Sequence, residues 1–359
     1  YDSLSGKPIV GHSINLGAGK YGGAVTADYA FELLTDDYNP NDLGYLKHNN
    51  SISHEVYVSH RFMEPFWILN SLSNGLSLEY NMIYDPQRYS EFTMEWMTHL
   101  LFRSYADTRI SIEYTPFNTH DWYEPRVANR YFIRPPGLMV ELGGSSDYRK
   151  KVAFDVSFTS YSNKRNNHFE QIDFSPRLRL NDKINLIPAV SYAFDHGDEG
   201  YVQNLGNDSL VFGRRNLKTV IASISGSYVF NNKSALSLSL RHYWRQVNYQ
   251  KFYVLSRDGY LLDFPEYKDN PKFDYTENNL DYNIFSIDLE YSWNFAPGSY
   301  LTAVWKNNIL NSDRIDESKP SLTYWENLHG TLISPQTNSF SLKVIYYLDY
   351  KRVLPSKPD

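Results

Sequence analysis

The sequence feature that most constrains this chain is an alternation of apolar and polar side chains with a period of two. Between residues 285 and 295 every odd position is apolar and every even position is polar or charged. The same pattern, with few interruptions, occupies 152–159, 172–180, 236–245 and 339–350. Successive side chains of a β-strand point to opposite faces of a sheet, so this period is typical of strands with two unlike faces. The pattern predicts an all-β chain.

The predicted strands are numerous and long. Fifteen are predicted, near 10–19, 23–34, 51–62, 66–84, 89–105, 108–118, 137–145, 151–161, 169–180, 184–203, 209–230, 234–255, 282–295, 299–310 and 337–349. Three of them run for roughly twenty residues, whereas soluble strands average about 5–6 and a membrane-spanning strand needs about 9–11. These lengths favour an antiparallel transmembrane β-barrel of the outer-membrane type, with about 15–16 strands in this chain, over a water-exposed sandwich.

The connections between the predicted strands alternate between two classes. Short turns are predicted at Lys20–Gly22, Met63–Pro65, Asp107, Ser146–Lys150, Asn181–Lys183, Asn231–Lys233 and Ala296–Gly298. The connections between them are mostly longer, above all 35–50, 119–136, 256–281 and 311–336. Outer-membrane barrels place short turns in the periplasm and long loops outside the cell. We therefore expect a bacterial outer-membrane location with a periplasmic C-terminus.

Composition excludes several other classes of protein. The 359 residues hold no run of about 18 apolar residues, so no transmembrane helix is expected. There is no Cys, which removes disulfides, thiol nucleophiles and Cys-type zinc sites. The net charge of −6 gives no electrostatic case for nucleic-acid binding. Aromatic residues, 16% of the chain, fit the interfacial belts of a membrane protein.

Several segments resemble one family of Bacteroidota outer-membrane proteins, in which a carbohydrate-binding-family-9-like domain precedes an uncharacterised barrel domain. The resembling segments are Asp37–Leu46, Tyr123–Arg126, Arg130–Pro136, Ser146–Lys151, Val211–Arg215 and Asn338–Tyr350. The resemblance implies that this chain is the C-terminal part of the barrel domain, and that the binding-like domain and the first strands lie upstream. It carries no catalytic residue and no established activity.

Residues 1–352 are predicted to form the barrel and 353–359 a flexible periplasmic tail. Charged side chains on the polar face are predicted to line the lumen: Arg177, Arg179, Arg241, Arg245, Asp288 and Glu290. Aromatic side chains near the short turns are predicted to form the periplasmic interface belt: Trp293, Phe295, Tyr300, Tyr228, Phe230, Tyr346 and Tyr350.

Other candidate sites have a plainer reading that we favour. His54 and His60 share a strand face but lie about 20 Å apart, so they cannot hold one metal ion. The oxygen-rich stretch Asp36–Asp42 suits calcium or, as we prefer, an Asx turn in an external loop. No Gly-x-Ser-x-Gly motif occurs, and we expect no enzyme activity, no metal and no cofactor.

Basic residues cluster around the Pro135–Pro136 pair, at Arg126, Arg130, Arg134 and Lys150–Lys151. They suit contact with lipopolysaccharide at the membrane rim or salt-bridged loop packing, and we favour packing. Arg214 and Arg215 are interpreted in the same way.

The leading function is an outer-membrane channel or transport barrel. The alternative is a non-catalytic barrel that serves as anchor or subunit in an assembly, secretion or glycan-handling complex. A third class is a soluble β-rich glycan enzyme or adhesin. The expected partners are outer-membrane lipid and lipopolysaccharide, with other envelope proteins or a glycan polymer as further candidates, and no nucleic acid.

The odd number of predicted strands has a consequence for closure. Both the first and the last predicted strand then lack a neighbour on one side, and bare edges are costly in lipid. We expect an open edge that upstream strands or another polypeptide fill, unless residues 1–8 supply a sixteenth strand.

Overall fold

Long β-strands account for most of the chain, because the alternating segments pair with their sequence neighbours. The computed structural model describes residues 10–41, 45–46, 48–315 and 323–348. The strands are β1 Ser13–Lys20, β2 Val25–Leu34, β3 Ser51–Phe62, β4 Leu69–Ile83, β5 Arg88–Phe102, β6 Asp107–Thr115, β7 Thr119–Asp121, β8 Phe132–Arg134, β9 Gly137–Ser145, β10 Val152–Asn163, β11 His168–Arg179, β12 Ile184–Asn204, β13 Leu210–Asn231, β14 Ser234–Leu255, β15 Leu261–Asp263, β16 Leu280–Ala296, β17 Ser299–Arg314 and β18 Gln336–Ile345. Two 3-10 helices cover Pro265–Asp269 and Tyr275–Asn278, and helix α1 covers Tyr324–Leu332.

One antiparallel sheet contains all fifteen predicted strands. Its order is β1-β2-β3-β4-β5-β6-β9-β10-β11-β12-β13-β14-β16-β17-β18, and β15 pairs with the upper end of β14. The small strands β7 and β8 form a separate hairpin. The sequence pattern did not predict β7, β8, β15 or α1, because these elements are too short to show a period.

The two ends of the sheet differ as the connections predicted. The turns after β1, β3, β5, β9, β11, β13 and β16 are short and lie at one end. The connections after β2, β6, β14 and β17 are long and lie at the other end, which we call the long-loop end. Strands β12, β13 and β14 have 21–22 residues and extend furthest toward the long-loop end.

The sheet has an apolar face and a polar face over its whole width. In β10, Phe154, Val156 and Phe158 lie on the apolar face, and Asp155 and Ser157 lie on the polar face. The apolar side chains are the more exposed ones: Val156 is 42% exposed, whereas Ser157 is half-buried. Soluble proteins rarely expose an apolar patch of this extent. The usual arrangement, with apolar side chains inside, is therefore reversed in this sheet.

The sheet is open within the residues that the structure describes. Strand β1 pairs with β2 alone, and β18 pairs with β17 alone. For the described residues, the fold is therefore an all-β antiparallel sheet with two free edges.

Compact apolar packing is concentrated at the long-loop end. One face of upper β13 carries Phe212, which packs on Phe132 from the β6–β9 connection at a ring distance of 5.0 Å. The opposite face carries Val211, which packs with Phe252 of β14 and with Phe273 from the β14–β16 connection. The strand ends are thus covered on both faces, and together these layers form a cap.

Candidate functional site

The six predicted lumen residues all lie on the polar face. Ser239 pairs with Asp288 and Ser237 with Glu290, and Arg241 and Arg245 alternate with apolar residues of β14. Arg177 and Arg179 likewise alternate with the apolar residues Pro176 and Leu178 of β11. Two of the six form ion pairs across strands: Arg177 with Asp155 at 3.0 Å, and Asp288 with Lys306 at 3.3 Å.

The polar face of the adjacent strands β3, β4, β5, β6 and β9 carries an acidic band that sequence reasoning missed. It consists of five glutamates on five adjacent strands: Glu55, Glu79, Glu95, Glu113 and Glu141. Glu55 lies directly opposite Glu79, and Glu95 lies directly opposite Glu113. Each glutamate occupies a polar position of an alternating stretch, but only the register shows that they are neighbours.

No Lys or Arg among the described residues forms an ion pair with the acidic band. Its carboxylates accept hydrogen bonds from hydroxyl groups instead: Ser77 donates to Glu55 at 2.8 Å, and Ser111 donates to Glu95 at 2.6 Å. Like charges directly opposite in an antiparallel pair destabilise a sheet by roughly 0.2–1 kcal/mol. The band therefore costs stability and needs an explanation other than folding.

Aromatic side chains gather on the apolar face near the short-turn end. Tyr228 packs against Phe230 with ring centroids 4.6 Å apart, and Phe230 contacts Tyr291 at 6.0 Å. Phe295 contacts Trp293 at 5.5 Å and Tyr346 at 6.3 Å.

The structure separates one predicted belt residue, Tyr300, from this group, and it does not describe another. Tyr300 pairs with Asn294 on the polar face, so the register separates it from the aromatic group. Tyr350 lies outside the described residues.

Residues 116–136, between β6 and β9, form a segment that we call the crossing loop. Its first half is bound to the upper ends of β3–β5. Thr119 donates to Glu91 at 3.0 Å, and the Trp122 indole donates to the carbonyl of Tyr89 at 3.0 Å. The Tyr123 hydroxyl donates to the carbonyl of Asn49 at 2.9 Å, beyond β2.

The second half of the crossing loop is bound to β12–β14. The Glu124 carboxylate accepts from the backbone N–H of Tyr201 at 2.7 Å. Arg130 is buried, pairs with Asp208, and donates to the carbonyls of Leu255 and Ser256 at 2.8 and 2.9 Å. These are the ion pairs of loop packing, the interpretation favoured for the basic cluster.

The side chain of Arg134 indicates how the sheet curves. It pairs with Asp121 at 3.1 Å and interacts electrostatically with Glu91 of β5 and Asp198 of β12. Five strand spacings of about 4.8 Å separate β5 from β12, which is about 24 Å along a flat sheet. One guanidinium lies near enough to both carboxylates to interact with each electrostatically, because the polar face is concave there.

The crossing loop and the upper ends of β3–β5 enclose a polar cleft of about 740 Å³. Its lining includes His48, Ser51, Asn81, Ser90, Glu91, Thr119, Asp121, Tyr123, Glu124, Arg126 and Arg134. The volume lies in the range of small-molecule sites, roughly 300–1,000 Å³. The cleft stands directly above the acidic band, at the long-loop mouth of the concave face.

Burial changes the acid–base chemistry of the crossing loop. Burial raises the pKa of Tyr123, and the Asp121 carboxylate raises it further. Burial by itself would lower the pKa of Arg134, but Asp121 and Glu124 hold it above its ordinary value. Burial lowers the pKa of His120, whose ring stacks on Tyr131 with centroids 4.8 Å apart. In this loop the protonated form of the His120 imidazole is therefore disfavoured, whereas the Arg134 guanidinium stays charged.

Helix α1 covers a second polar cluster at the upper end of β14 and β16. Asp281 accepts hydrogen bonds from Trp244, Gln246, Asn283 and Asn327 at 2.8–3.1 Å. Asn327 belongs to α1, so this carboxylate ties the helix to the sheet. The helix begins with a capping box of Thr323 and Glu326, a sequence signal that could have revealed it.

The remaining candidates have structural roles. In the stretch Asp36–Asp42, Asn41 exchanges hydrogen bonds with the backbone of Leu46, as in a turn, and Asp42 lies outside the described residues. His54 hydrogen-bonds to Tyr29 at 2.8 Å, and His60 packs on Phe62. No group of three or more potential metal ligands occurs in the described part of the chain.

The fold and its faces define a class: an all-β protein built on one wide antiparallel sheet, with an exposed apolar face and a concave polar face. The chain matches the model of a domain of unknown function, DUF5916, over residues 3–356, and it belongs to that family. A comparison with curated proteins found no match. Among the described residues, no helix is both long and apolar enough to cross a membrane.

Proposed function

We propose that this protein is an outer-membrane β-barrel channel of a Gram-negative envelope, with the polar face lining its lumen. The observation that carries the proposal is the exposed apolar face, which runs without interruption across fifteen strands. Water does not favour such a face, whereas lipid does. The concave polar face beneath the crossing loop then encloses a wet lumen.

The height of the apolar face fits a bilayer. On β16 it extends from Phe285 to Phe295, which is ten residue steps. Ten steps of about 3.3 Å, tilted by about 45°, rise about 23 Å, and the apolar band of such barrels is about 25 Å tall. Above Phe285 the same face becomes polar at Asn283 and Asp281, where α1 covers it.

The charge of the lumen supports a preference for cations. The acidic band places five carboxylates on one wall, none of them ion-paired with a Lys or Arg that the structure describes, and rings of Asp or Glu select cations in channels. Directly above it, the crossing loop bridges β3–β5 to β12–β14 and narrows the mouth. The transported species is therefore small, polar, and cationic or neutral.

The long-loop end is proposed to face outside and the short turns the periplasm, as the alternation of connections favours. The resemblance to Bacteroidota proteins with a carbohydrate-binding-like domain supports a Bacteroidota-like envelope and a glycan polymer as a partner of the whole protein. Lys150 and Lys151 have exposed side chains beside the short β9–β10 turn. They face the periplasm in this orientation, so they would contact lipopolysaccharide only in the opposite orientation.

Purification and planar-bilayer recording test the proposal. The protein should need detergent to stay in solution, and it should give discrete conductance steps after insertion into a bilayer. A monodisperse protein without detergent would contradict the membrane location. The alternative function, an anchor or subunit of an envelope complex, predicts a membrane protein that gives no conductance and that co-purifies with stoichiometric partners.

A further inference from the structure

The polar cleft beside the crossing loop contains a carboxylate that has no ionic partner among the described residues. This carboxylate belongs to Glu91, which lies half-buried on the polar face of β5 and accepts a hydrogen bond from Thr119 at 3.0 Å. Arg134 also lines the cleft, but its ion pairs are with Asp121 at 3.1 Å and Glu124 at 4.0 Å. The sheet side of the cleft thus presents a negative charge that no described Lys or Arg neutralises in an ion pair.

The loop side of the same cleft presents a cation, the guanidinium of Arg126. Arg126 is exposed, and its guanidinium lies over the ring of Tyr201, 4.7 Å from the centroid. Its N–H donates to the carbonyl of Tyr123 at 3.1 Å, and its φ of 57° lies in the left-handed region, which non-glycine residues rarely adopt. The fully buried Pro125 precedes it and fixes the turn. No carboxylate of the described chain forms an ion pair with Arg126, although the turn holds it at the cleft.

The surroundings of the cleft give its two sides opposite electrostatic character. Glu91 interacts electrostatically with Glu79 of the acidic band, which continues along the polar face below the cleft. The potential is therefore negative on the sheet side, whereas Arg126 makes the loop side positive. A ligand with one cationic end and one anionic end would be oriented by this field, with its cation toward Glu91.

We propose that the cleft binds a small zwitterion, a free amino acid or a short peptide, with its ammonium group on Glu91 and its carboxylate on Arg126. Hydrogen bonds between charged groups are short and strong, and a guanidinium matches the two oxygens of a carboxylate. A zwitterion has no net charge, so the acidic band does not repel it as it would repel an anion. The volume of about 740 Å³ accommodates a short peptide. The role of this ligand as the permeating species rests on the proposed function, whereas its binding does not.

Isothermal titration calorimetry with the full chain tests the proposal, in whichever buffer or detergent keeps the chain monodisperse. The probes are diglycine, N-acetyl-diglycine, which lacks the ammonium group, diglycinamide, which lacks the carboxylate, and the neutral sugar maltose. Diglycine should bind, and each blocked form should bind roughly tenfold to a hundredfold more weakly, because each loses one charge-assisted hydrogen bond. Maltose should not bind. Glycine and triglycine, compared with diglycine, then show which separation of the two charges the cleft prefers.

Two variants test the orientation of the ligand. Glu91→Gln should abolish the preference for diglycine over N-acetyl-diglycine, and Arg126→Gln should abolish the preference for diglycine over diglycinamide, because each variant removes the partner of one ligand charge. Glu170→Gln and Arg257→Gln are the matched controls. Both of these residues are exposed and neither lines the cleft, so their variants should bind diglycine as the unaltered chain does.

The proposal would be overturned by the absence of diglycine binding, by equal binding of the blocked forms, by a preference for maltose, or by unchanged affinities in both cleft variants. Bilayer recording reports on the proposed function separately. Conductance without diglycine binding would leave the channel and remove the zwitterion site, whereas binding without conductance would leave the site and remove the channel.

Discussion

At the scale of single residues, the two faces of the sheet impose opposite requirements on a new charge. Leu289 and Ser239 lie at the same height, because Leu289 is adjacent in sequence to Asp288, the partner of Ser239. Leu289→Arg places a cation on the apolar face, which contacts lipid in the proposed barrel, and should destabilise the folded protein by about 2–4 kcal/mol. Ser239→Arg places the cation opposite Asp288 on the polar face and should be tolerated. Urea unfolding in lipid vesicles measures both, and equal losses would refute the assignment of faces.

Arg130 is the residue on which the anchoring of the crossing loop most depends. Arg130→Ala removes charged hydrogen bonds to two carbonyls and leaves them buried, which costs about 1.5–3 kcal/mol. Protease cleavage within residues 116–136 should become faster, and the conductance should rise as the mouth widens.

Arg257 provides a matched control for Arg130. It binds the same Asp208 carboxylate at 3.0 Å but is exposed, with 86% of its side chain accessible. Exposed ion pairs contribute about 0–1 kcal/mol, so Arg257→Gln should leave cleavage nearly unchanged. Identical cleavage rates for the two variants would show that Arg130 does not anchor the loop.

His120 should make the packing of the crossing loop sensitive to pH. Burial lowers its pKa in the folded protein below the ordinary value of 6.5. His120 therefore binds a proton more readily when the loop is released than when it is packed. The stability of the packed loop is fully present above pH 6.5 and is lost as the pH falls below 6.5. Cleavage within residues 116–136 should accelerate between pH 7.5 and pH 5.5, values that bracket this window at about one unit on either side. His120→Phe keeps a ring against Tyr131 but cannot titrate, and an unchanged acceleration in that variant would exclude His120 as the cause.

At the scale of elements, helix α1 depends on its cap and on its attachment to Asp281. Thr323→Ala removes the capping box and should cost the helix about 1 kcal/mol. Amide hydrogen exchange over 324–332 should become faster, and the buried Trp244 beneath the helix should become more accessible to a quencher. Trp325, which is 75% exposed, is a suitable control, because Trp325→Ala removes little packing. Equal exchange in the two variants would show that the cap is dispensable.

At the scale of the whole molecule, the acidic band links stability to selectivity. Replacing Glu95 and Glu113 together by Gln removes a directly opposed pair of charges, so the sheet should gain roughly 0.2–1 kcal/mol. The same change should reduce the cation preference measured as a reversal potential across a bilayer in a salt gradient. Glu290→Gln, on β16 and seven strands from β6 in the sheet order, is the control and should change selectivity less. A double variant with unaltered selectivity would show that the band does not control permeation.

The sequence by itself determined the repeating element of this protein. Apolar and polar side chains alternate along each strand, and this signal is local, so the fifteen long strands, their two faces and the alternating connections follow from it. It also placed the charged residues from Arg177 to Glu290 on the polar face. It did not reveal helix α1 or the β7–β8 hairpin, because these elements are stabilised by contacts with the sheet and are too short to show a period of their own.

Only the tertiary structure determined which residues are neighbours in space. The acidic band depends on the register between strands, since a shift of one residue would move each glutamate to the apolar face. The crossing loop depends on contacts between distant parts of the chain, such as the bond from Arg130 to Leu255, which are 125 residues apart. The sequence periodicity that produces the strands contains no information on such pairs, because they form only when the sheet curves and brings β5 and β12 within reach of the same loop.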